Sequence, residues 1–503
     1  MYYLSIDFLK IFYRKIFDTV YLKYIFQITI FNPEEIINTL IIVLTEKMKL
    51  QSFKDRLGIF WSREWNYYKG VFSSDSSLRY SLFLGLFIRL VLAPFLGHPY
   101  DLRVFMAVGW AVANGITPYG QYILQDIFVD VPQQHFCGSF YGIGYPPLWG
   151  LFLGFLYQVY SFISKNNIYL YSFFLKIPII LGDLAAALIL YRIVKKYLDE
   201  NMASKVFCFY QLCPFFILVG TVWGMFDILV FFFTILSAYF LMKRSSLSAF
   251  SLAIATSFKP YAIILAPLYS ILIHKKFSSI RKTYNYLLIV LGSLIILTFF
   301  PMLIFNWPLS NLYFALAAHM TTTDFYYDDG RDYTYGAASP FNMYNVLRLI
   351  FPGIKPNGFL NYIWICGCLA VYVYMFFRSS EYDFKSIIKY SYFTSLVFFA
   401  TRFWVSEQNL VLLLSFFILT VLFNGTRDGW RIIHVFSILL LAFVFIHVPA
   451  PAFLWMVQPW TLNASTAFCN GTYGFIRLIL MTLFTFSWLG VLIWYSLKER
   501  IIV

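Results

Sequence analysis

The sequence predicts an all-α polytopic membrane protein, a bundle of about 11–14 transmembrane helices that includes broken helices and long outer loops. Of the 503 residues, 60% are hydrophobic and 12% are charged, whereas soluble domains carry roughly 25% charged residues. The formal net charge is +14. In a polytopic protein an excess of Lys and Arg indicates retention on cytoplasmic loops, so we expect no nucleic-acid partner.

Apolar runs set the order of the predicted helices, because a span needs roughly 20 apolar residues. They lie near 79–97, 145–163, 204–222, 223–242, 284–305, 358–377, 386–401, 408–423, 431–449 and 474–497. Residues 1–78 are predicted to be a cytoplasmic or peripheral segment. The part before Met48 is either a peripheral amphipathic stretch or the result of a start site placed too early in the sequence. A transmembrane module at 79–305, an outer loop at 306–357 and C-terminal helices at 358–503 follow.

Two further apolar stretches, 167–194 and 246–273, are interrupted near their middles by Lys176-Ile177-Pro178 and by Lys259-Pro260. The basic clusters along the chain all fall on the cytoplasmic side if each stretch is a pair of short helices that turns at its lysine. Backbone opened at membrane depth is tolerated only where it lines a buried or wet cavity. The pattern therefore predicts two broken helices, each pointing at a site.

With this topology three long segments fall on the outer side, at 98–144, 306–357 and 450–473. In the first of them, residues 102–114 have the pattern of a short amphipathic helix at the interface that ends at Asn114-Gly115. In the second, the acidic stretch from Asp324 to Asp332 lacks the spacing of a calcium loop. It is predicted to bind an acceptor, an ordinary solvated loop is the alternative, and a metal site is the least favoured interpretation.

Short motifs with chemical potential follow one another along the first two thirds of the chain. In order they are His98-Pro99-Tyr100-Asp101, Gly144-Tyr145-Pro146-Pro147-Leu148, Lys176-Ile177-Pro178 with Asp183, Trp223-Gly224-Met225-Phe226-Asp227, and Lys259-Pro260. Together they resemble the GT-C superfamily, integral-membrane glycosyltransferases that use polyprenyl-phosphate sugars. The resemblance implies a GT-C-like helix bundle and covers roughly residues 80–410.

Asp101 is predicted to be the catalytic residue, although two interpretations of it are open. As a residue at the start of the amphipathic helix 102–114, it is a candidate N-cap. As a carboxylate at the membrane surface, it is a candidate general base that takes the proton of an attacking hydroxyl. The essential acidic residue of GT-C enzymes lies in this first outer loop, so the resemblance favours the general base.

The remaining candidates divide into basic and acceptor-binding residues. Lys259, Arg402 and Lys176 are predicted to hold the donor phosphate, whose negative charge grows as the glycosidic bond breaks. The predicted acceptor and sugar-binding residues are Tyr145, Asp183, Trp223, Asp227, Glu407 and Gln408.

Structural alternatives stay open for several of these residues. Asp183 is equally an ion-pair partner of Lys176 or Lys259, since an ionisable group within a span is costly unless it is paired. Asp227 is a candidate helix cap, and Lys259 is a candidate for snorkelling to the interface. Glu407 and Gln408 also fit an ordinary polar turn between two spans.

The resemblance implies inverting transfer of a hexose, mannose ahead of glucose, from a polyprenyl or dolichyl phosphate to a lipid-linked or protein-linked glycan acceptor. No cofactor and no metal is expected, because such a donor lacks a diphosphate-nucleotide. We expect an integral multi-pass protein of the cell membrane or endoplasmic reticulum, surrounded by membrane lipid, with its site facing outside or the lumen. The rival hypotheses are an ion-coupled secondary transporter that uses Asp183 and Lys259, and a non-catalytic scaffold.

Overall fold

A computed structural model of the chain describes residue 58 and residues 62–120, 142–164, 166–313, 338–351, 358–378, 382–461, 464 and 471–499. Within these ranges the chain is helical and has no β-strand, which confirms the all-α class. Tyr80–Val503 forms one compact unit and Met1–Arg79 another. The division of the larger unit at residues 305 and 357 stays a prediction.

Helices occupy every apolar run that the sequence predicts. In chain order they are α1 (Ser76–Leu92), α2 (Asp101–Ala113), α3 (Pro147–Ser161), α4 (Ile168–Tyr197), α5 (Glu200–Leu212), α6 (Pro214–Trp223), α7 (Asp227–Phe240), α8 (Ser245–Phe258), α9 (Leu265–Phe277), α10 (Ile280–Ile304), α11 (Asn342–Ile350), α12 (Ile363–Arg378), α13 (Phe384–Thr401), α14 (Leu410–Asn424), α15 (Gly429–His447) and α16 (Gly471–Lys498). Short 3-10 helices at Pro260–Ile264 and Glu407–Asn409 lead into α9 and α14.

Several helices fit an integral multi-pass membrane protein. Among the described residues, five are long and apolar enough to cross a membrane: Ile168–Tyr197, Ile280–Ile304, Glu407–Asn424, Gly429–His447 and Tyr473–Lys498. A sixth candidate is the pair α5 and α6, which bends by 45° at the intervening residue. The larger number predicted from the sequence, about 11–14, stays a prediction.

The predicted break at Lys259-Pro260 is confirmed. Helix α8 ends at Phe258, Lys259 is extended with φ −141° and ψ 129°, and a 3-10 turn leads into α9. Proline disfavours helical backbone at the residue before it, so the chain opens at Lys259. The lysine therefore lies between two helices and not within one.

The predicted break at Lys176-Ile177-Pro178 is wrong, because α4 runs without interruption from Ile168 to Tyr197 with Pro178 inside it. A proline in a helix removes one backbone hydrogen bond, but neighbouring helices often supply replacement contacts in membrane bundles. Here Lys176 is fully buried and bonds to carbonyls at the end of α1. Packing therefore keeps the helix continuous.

The bundle has a basic end and a polar end. At the basic end, the ring of Phe384 packs against Tyr197, Tyr239 and Phe423 at centre distances of 4.6, 6.3 and 6.1 Å. These contacts join the ends of α4, α7 and α14 to the start of α13. The polar end holds the break at Lys259 and the segment around His98, and it contains the candidate site.

Candidate functional site

Asp101 is the first residue of α2, but its side chain does not cap that helix. Its Oδ2 atom accepts a hydrogen bond from Nε1–H of Trp223 at 2.7 Å and lies 3.0 Å from Nδ1 of His98. Among the described residues, no donor contacts Oδ1, and 20% of the side chain is exposed. The N-cap interpretation is therefore wrong. The carboxylate has one anchored oxygen and one that a ligand can reach.

The electrostatic surroundings keep Asp101 ionised. Burial acts to raise the pKa of Asp101, but the His98 imidazole, the Trp223 indole N–H and the Lys259 ammonium together lower this pKa by more. The net pKa therefore lies below the ordinary carboxyl value, and the carboxylate is ready to accept a proton at neutral pH. The stability that comes from this lowered pKa is present above the ordinary carboxyl pKa. It is lost as the pH falls through the lowered value.

Trp223 reaches Asp101 because α6 ends in a π-helical turn, Leu218–Trp223, that closes at Gly224. Gly224 has a left-handed φ of 88°, which non-glycine residues adopt only under strain. A Cβ atom at this position would lie 3.0 Å from Cε of Lys176. Both the backbone conformation and the packing therefore require glycine where Trp223 is presented to Asp101.

We expect Gly224→Ala to lower the free energy of unfolding by about 1–2 kcal/mol, the cost of a left-handed L-residue, and to displace Trp223 from Asp101. Thermal unfolding in detergent measures the loss. The control is Gly292→Ala, since Gly292 lies inside α10 without a left-handed φ and its Cβ would meet nothing within 4 Å. Equal stability of Gly224→Ala and the wild-type protein would contradict this account of the turn.

A buried ion pair forms the second part of the site. Nζ of Lys259 lies 2.6 Å from Oδ2 of Asp227, and the hydroxyl of Tyr261 donates to Oδ1 of Asp227 at 3.0 Å. Both charged side chains are at most 3% exposed. The ammonium also lies 5.0 Å from the ring centres of Tyr145 and Phe226, within the range of cation–π attraction. Asp227 therefore compensates Lys259 and does not cap α7.

The Tyr-Pro-Pro segment positions the aromatic wall of this ion pair. Pro147 is the first residue of α3 and Pro146 precedes it, which suits residues that lack a backbone N–H. The backbone carbonyl of Tyr145 accepts a hydrogen bond from the hydroxyl of Tyr119 at 3.0 Å. The two prolines therefore start α3, and Tyr145 presents its ring to Lys259.

Arg402 is a third cation close to this cluster. It follows α13 in extended backbone, and its guanidinium lies 5.3 Å from the ring centre of Phe398. It interacts electrostatically with Tyr261 and Tyr145, and burial lowers the pKa of Arg402 to about 10, so the group is charged at neutral pH. Within the described ranges no carboxylate forms an ion pair with it. Such a guanidinium suits bidentate phosphate binding.

The turn Glu407–Asn409 adds buried polar groups before α14. The carboxylate of Glu407 contacts Nδ1 of His447 at the end of α15. Oε1 of Gln408 and Oδ1 of Asn409 have no hydrogen-bond partner in the described part of the chain, although the residues are only 5% and 7% exposed. Buried acceptors are normally satisfied. The turn therefore holds two buried acceptors that no group of the described chain satisfies.

The ammonium of Lys176 is held by backbone carbonyls at the end of α1. Its ammonium donates to the backbone carbonyl of Ala93 at 2.9 Å and to that of Leu96, and the residue is fully buried. These contacts fix the end of α1 that leads to His98. The geometry gives Lys176 a structural role at the end of α1, and its phosphate contact stays a prediction.

Asp183 is paired with a residue that the sequence analysis missed. Its Oδ2 lies 2.5 Å from Nε of Arg89, and both side chains are at most 2% exposed. The predicted pairing of Asp183 with Lys176 or Lys259 is wrong, because Arg89 reaches it from α1 and Asp227 holds Lys259. The coupled pair of Asp183 and Lys259 that the transporter hypothesis requires is not formed.

Two other residues of the site, Tyr261 and His447, are not among the predicted site residues. For Arg89 a signal existed, because a lone arginine within an apolar run needs a carboxylate partner. Tyr261 follows Lys259-Pro260 directly and carried no signal of its own. The contact of His447 with Glu407 links the turn before α14 to the end of α15.

Parts of the predicted site lie outside the described residues, namely 121–141 of the first outer loop and 314–337 of the second, with the acidic stretch from Asp324 to Asp332. In the part of the chain that is described, no three His, Cys, Asp or Glu side chains are grouped to hold a metal ion. The expected independence of metal stays a prediction.

No family model matches the chain, and no curated protein is significantly similar to it.

Proposed function

We propose that this chain is a membrane glycosyltransferase that transfers a hexose, mannose ahead of glucose, from a polyprenyl or dolichyl phosphate to a lipid-linked or protein-linked glycan. The observation that carries the proposal is the ionised carboxylate of Asp101. Two groups, Nε1–H of Trp223 and Nδ1 of His98, fix its Oδ2, while no donor from the described chain contacts Oδ1. A general base requires this combination of a fixed position and an accessible lone pair.

In the proposed reaction the acceptor hydroxyl oxygen attacks C1 of the donor hexose from the side opposite the lipid phosphate. The new C1–O bond forms as the bond from C1 to the phosphate oxygen breaks, and the bonding electron pair stays on the phosphate. The hydroxyl proton passes to Oδ1 of Asp101. A single displacement of this kind inverts the configuration at C1, and the products are the extended glycan and the lipid phosphate.

Positive charge beside Asp101 supports the departure of the phosphate. Arg402 lacks a carboxylate partner among the described residues and lies beside the pair of Lys259 and Asp227. Asp227 offsets most of the charge of Lys259, so Arg402 is the main phosphate ligand in this proposal. Lys259 contributes through its ammonium at the aromatic wall. Fixed cations act most strongly where charge develops in the transition state.

We expect Arg402→Ala to raise the KM for the lipid-phosphate donor by about tenfold to hundredfold, because a charge-assisted hydrogen bond contributes roughly 1.5–3 kcal/mol. The KM of Arg402→Lys should lie between those of the wild-type protein and Arg402→Ala, because an ammonium keeps the charge but lacks the two parallel N–H donors of the guanidinium. Transfer kinetics at varied donor concentration measure the change. Arg427→Ala, an exposed arginine at the basic end, is the control. An unchanged KM for Arg402→Ala would remove Arg402 from the proposal.

Sugar-binding surfaces complete the proposed site. The ring of Tyr145 flanks the charged groups and suits the apolar face of a hexose. Trp223 is only 2% exposed and stacks on His98, so it holds Asp101 rather than a sugar. The unsatisfied acceptors of Gln408 and Asn409 suit hydroxyl groups, and Glu407 orients the turn through His447. In this proposal the protein is embedded in membrane lipid, with the polar end of the bundle on the outer or luminal side of the cell membrane or endoplasmic reticulum.

The test supplies membranes that contain the chain with radiolabelled dolichyl-phosphate-mannose or dolichyl-phosphate-glucose and a lipid-linked oligosaccharide extract. We expect label in the oligosaccharide, faster from the mannose donor, and unchanged by EDTA. Absence of transfer from both donors by a folded protein would contradict the proposal. Solute uptake that depends on an ion gradient would then favour a transporter, and donor binding without turnover would favour a scaffold.

A further inference from the structure

His98 is the buried titratable group nearest to the proposed base, and its backbone is fixed on both sides. The backbone N–H of His98 donates to the backbone carbonyl of Trp223 at 3.2 Å. The backbone carbonyl of His98 accepts from the backbone N–H of Leu102 at 3.2 Å. The imidazole stacks on the Trp223 indole with ring centres 4.4 Å apart and an interplanar angle of 10°. The ring of Phe453 lies 6.0 Å away on another side. The imidazole therefore has little freedom to rotate.

Nδ1 of His98 faces two groups of Asp101 with opposite requirements. The backbone N–H of Asp101 donates to Nδ1 at 3.1 Å, which requires a lone pair on that nitrogen. The carboxylate oxygen Oδ2 lies 3.0 Å from the same nitrogen, which requires a proton on it. One ring nitrogen carries either a proton or a lone pair. The protonation of Nδ1 therefore decides which part of Asp101 it holds.

We propose that His98 is the positioning residue of Asp101, whose Nδ1–H fixes Oδ2 so that Oδ1 faces the acceptor hydroxyl. This inference rests on the proposed function. When Nδ1 carries a proton, the carboxylate is anchored by two donors, His98 and Trp223. When Nδ1 carries a lone pair, it opposes Oδ2 at 3.0 Å, and a proton between the two atoms relieves the repulsion. His98 thereby couples the orientation of the base to its protonation.

Within the described ranges, two other charged groups lie near this pair. From the break after α8, the ammonium of Lys259 acts on Asp101 electrostatically. From α4, the ammonium of Lys176 binds the carbonyl of Leu96 two residues before His98. Trp223 and Phe453, which pack on the imidazole, carry no charge. A change in the pH dependence of Asp101 on replacing His98 therefore reports on the imidazole itself.

The first readout is the titration of the Asp101 carboxyl in the purified full-length chain, followed by NMR of ¹³C-labelled aspartate and assigned with Asp101→Asn. We expect His98→Phe, which keeps a ring to stack on Trp223, to raise the pKa of Asp101. His98→Asn should raise it less, because its amide nitrogen replaces Nδ1 without the charge. His434→Asn, at an exposed histidine near the start of α15, is the control. An unchanged pKa of Asp101 in His98→Phe would overturn the inference.

The second readout is the pH profile of sugar transfer with the two dolichyl-phosphate donors. We expect His98→Phe to lower kcat on the order of 10²-fold, as for a misplaced catalytic group, and to move the acid limb to higher pH. His98→Asn should restore part of both. Normal transfer and an unchanged profile in both variants would overturn the inference and leave the proposed function standing. Failure of the wild-type chain to transfer sugar would contradict the function, while the titration still decides whether His98 controls Asp101.

Discussion

Asp101→Asn is expected to lower kcat for sugar transfer by about 10²–10⁴-fold, the contribution of a positioned general base. The asparagine keeps the size of the side chain, and its amide oxygen still accepts the indole N–H of Trp223. It cannot take the proton of an attacking hydroxyl. We therefore expect donor binding and the thermal unfolding midpoint to change little while turnover is lost. Transfer kinetics, donor binding and thermal unfolding of the same preparation measure the three quantities.

The matched control is Asp428→Asn, because Asp428 is exposed at the basic end of the bundle and makes no side-chain cap bond. We expect this variant to transfer sugar at the wild-type rate. Full activity of Asp101→Asn would mean that the carboxylate is not the base. Loss of folding in Asp101→Asn would instead assign Asp101 a structural role.

The second large effect concerns the buried pair of Lys259 and Asp227. We expect Lys259→Met to lower the free energy of unfolding by about 3–5 kcal/mol, because the variant leaves the carboxylate of Asp227 buried without its cation. The double variant Lys259→Met with Asp227→Asn removes both charges and should recover most of the loss. Thermal unfolding of the three proteins in the same detergent measures the coupling between the two residues.

An exposed ion pair at the basic end provides the control. Nζ of Lys195 lies 2.5 Å from Oε1 of Glu200, but the side chains are 30% and 58% exposed. Exposed pairs contribute roughly 0–1 kcal/mol. Lys195→Met should therefore lower the free energy of unfolding by less than Lys259→Met does. If the double variant is no more stable than Lys259→Met alone, the pair is not the source of the effect.

The two lysine-proline sites show which helix breaks can be predicted from the sequence. At Lys259 the proline follows directly, so the lysine itself is forced out of helical backbone, and the break was predictable. At Lys176 the proline is two residues later, and packing of α4 against the end of α1 keeps the helix continuous. In both cases the proline disfavours helical backbone at the residue before it, Lys259 or Ile177. Tertiary contacts, which the sequence does not display, decided between them.

The polar contacts show the same limit more sharply. The sequence indicated that cations and carboxylates within apolar runs must pair, but not which cation pairs with which carboxylate. Arg89 contacts Asp183 across 94 positions and Lys259 contacts Asp227 across 32. The order of the motifs did indicate that Asp101 and Trp223 belong to one site. The shared oxygen Oδ2 and the role of His98 required side-chain geometry.

The measurement that tests the account most directly is transfer of labelled hexose by the purified chain in lipid vesicles. Dolichyl-phosphate-mannose and dolichyl-phosphate-glucose are supplied separately with the oligosaccharide extract, and wild type is compared with Asp101→Asn. The account predicts that label moves from the lipid phosphate to the oligosaccharide with the wild-type chain and stays in the donor with the variant. Label that stays in both donors with a folded wild-type chain, or that moves equally well with Asp101→Asn, would contradict it.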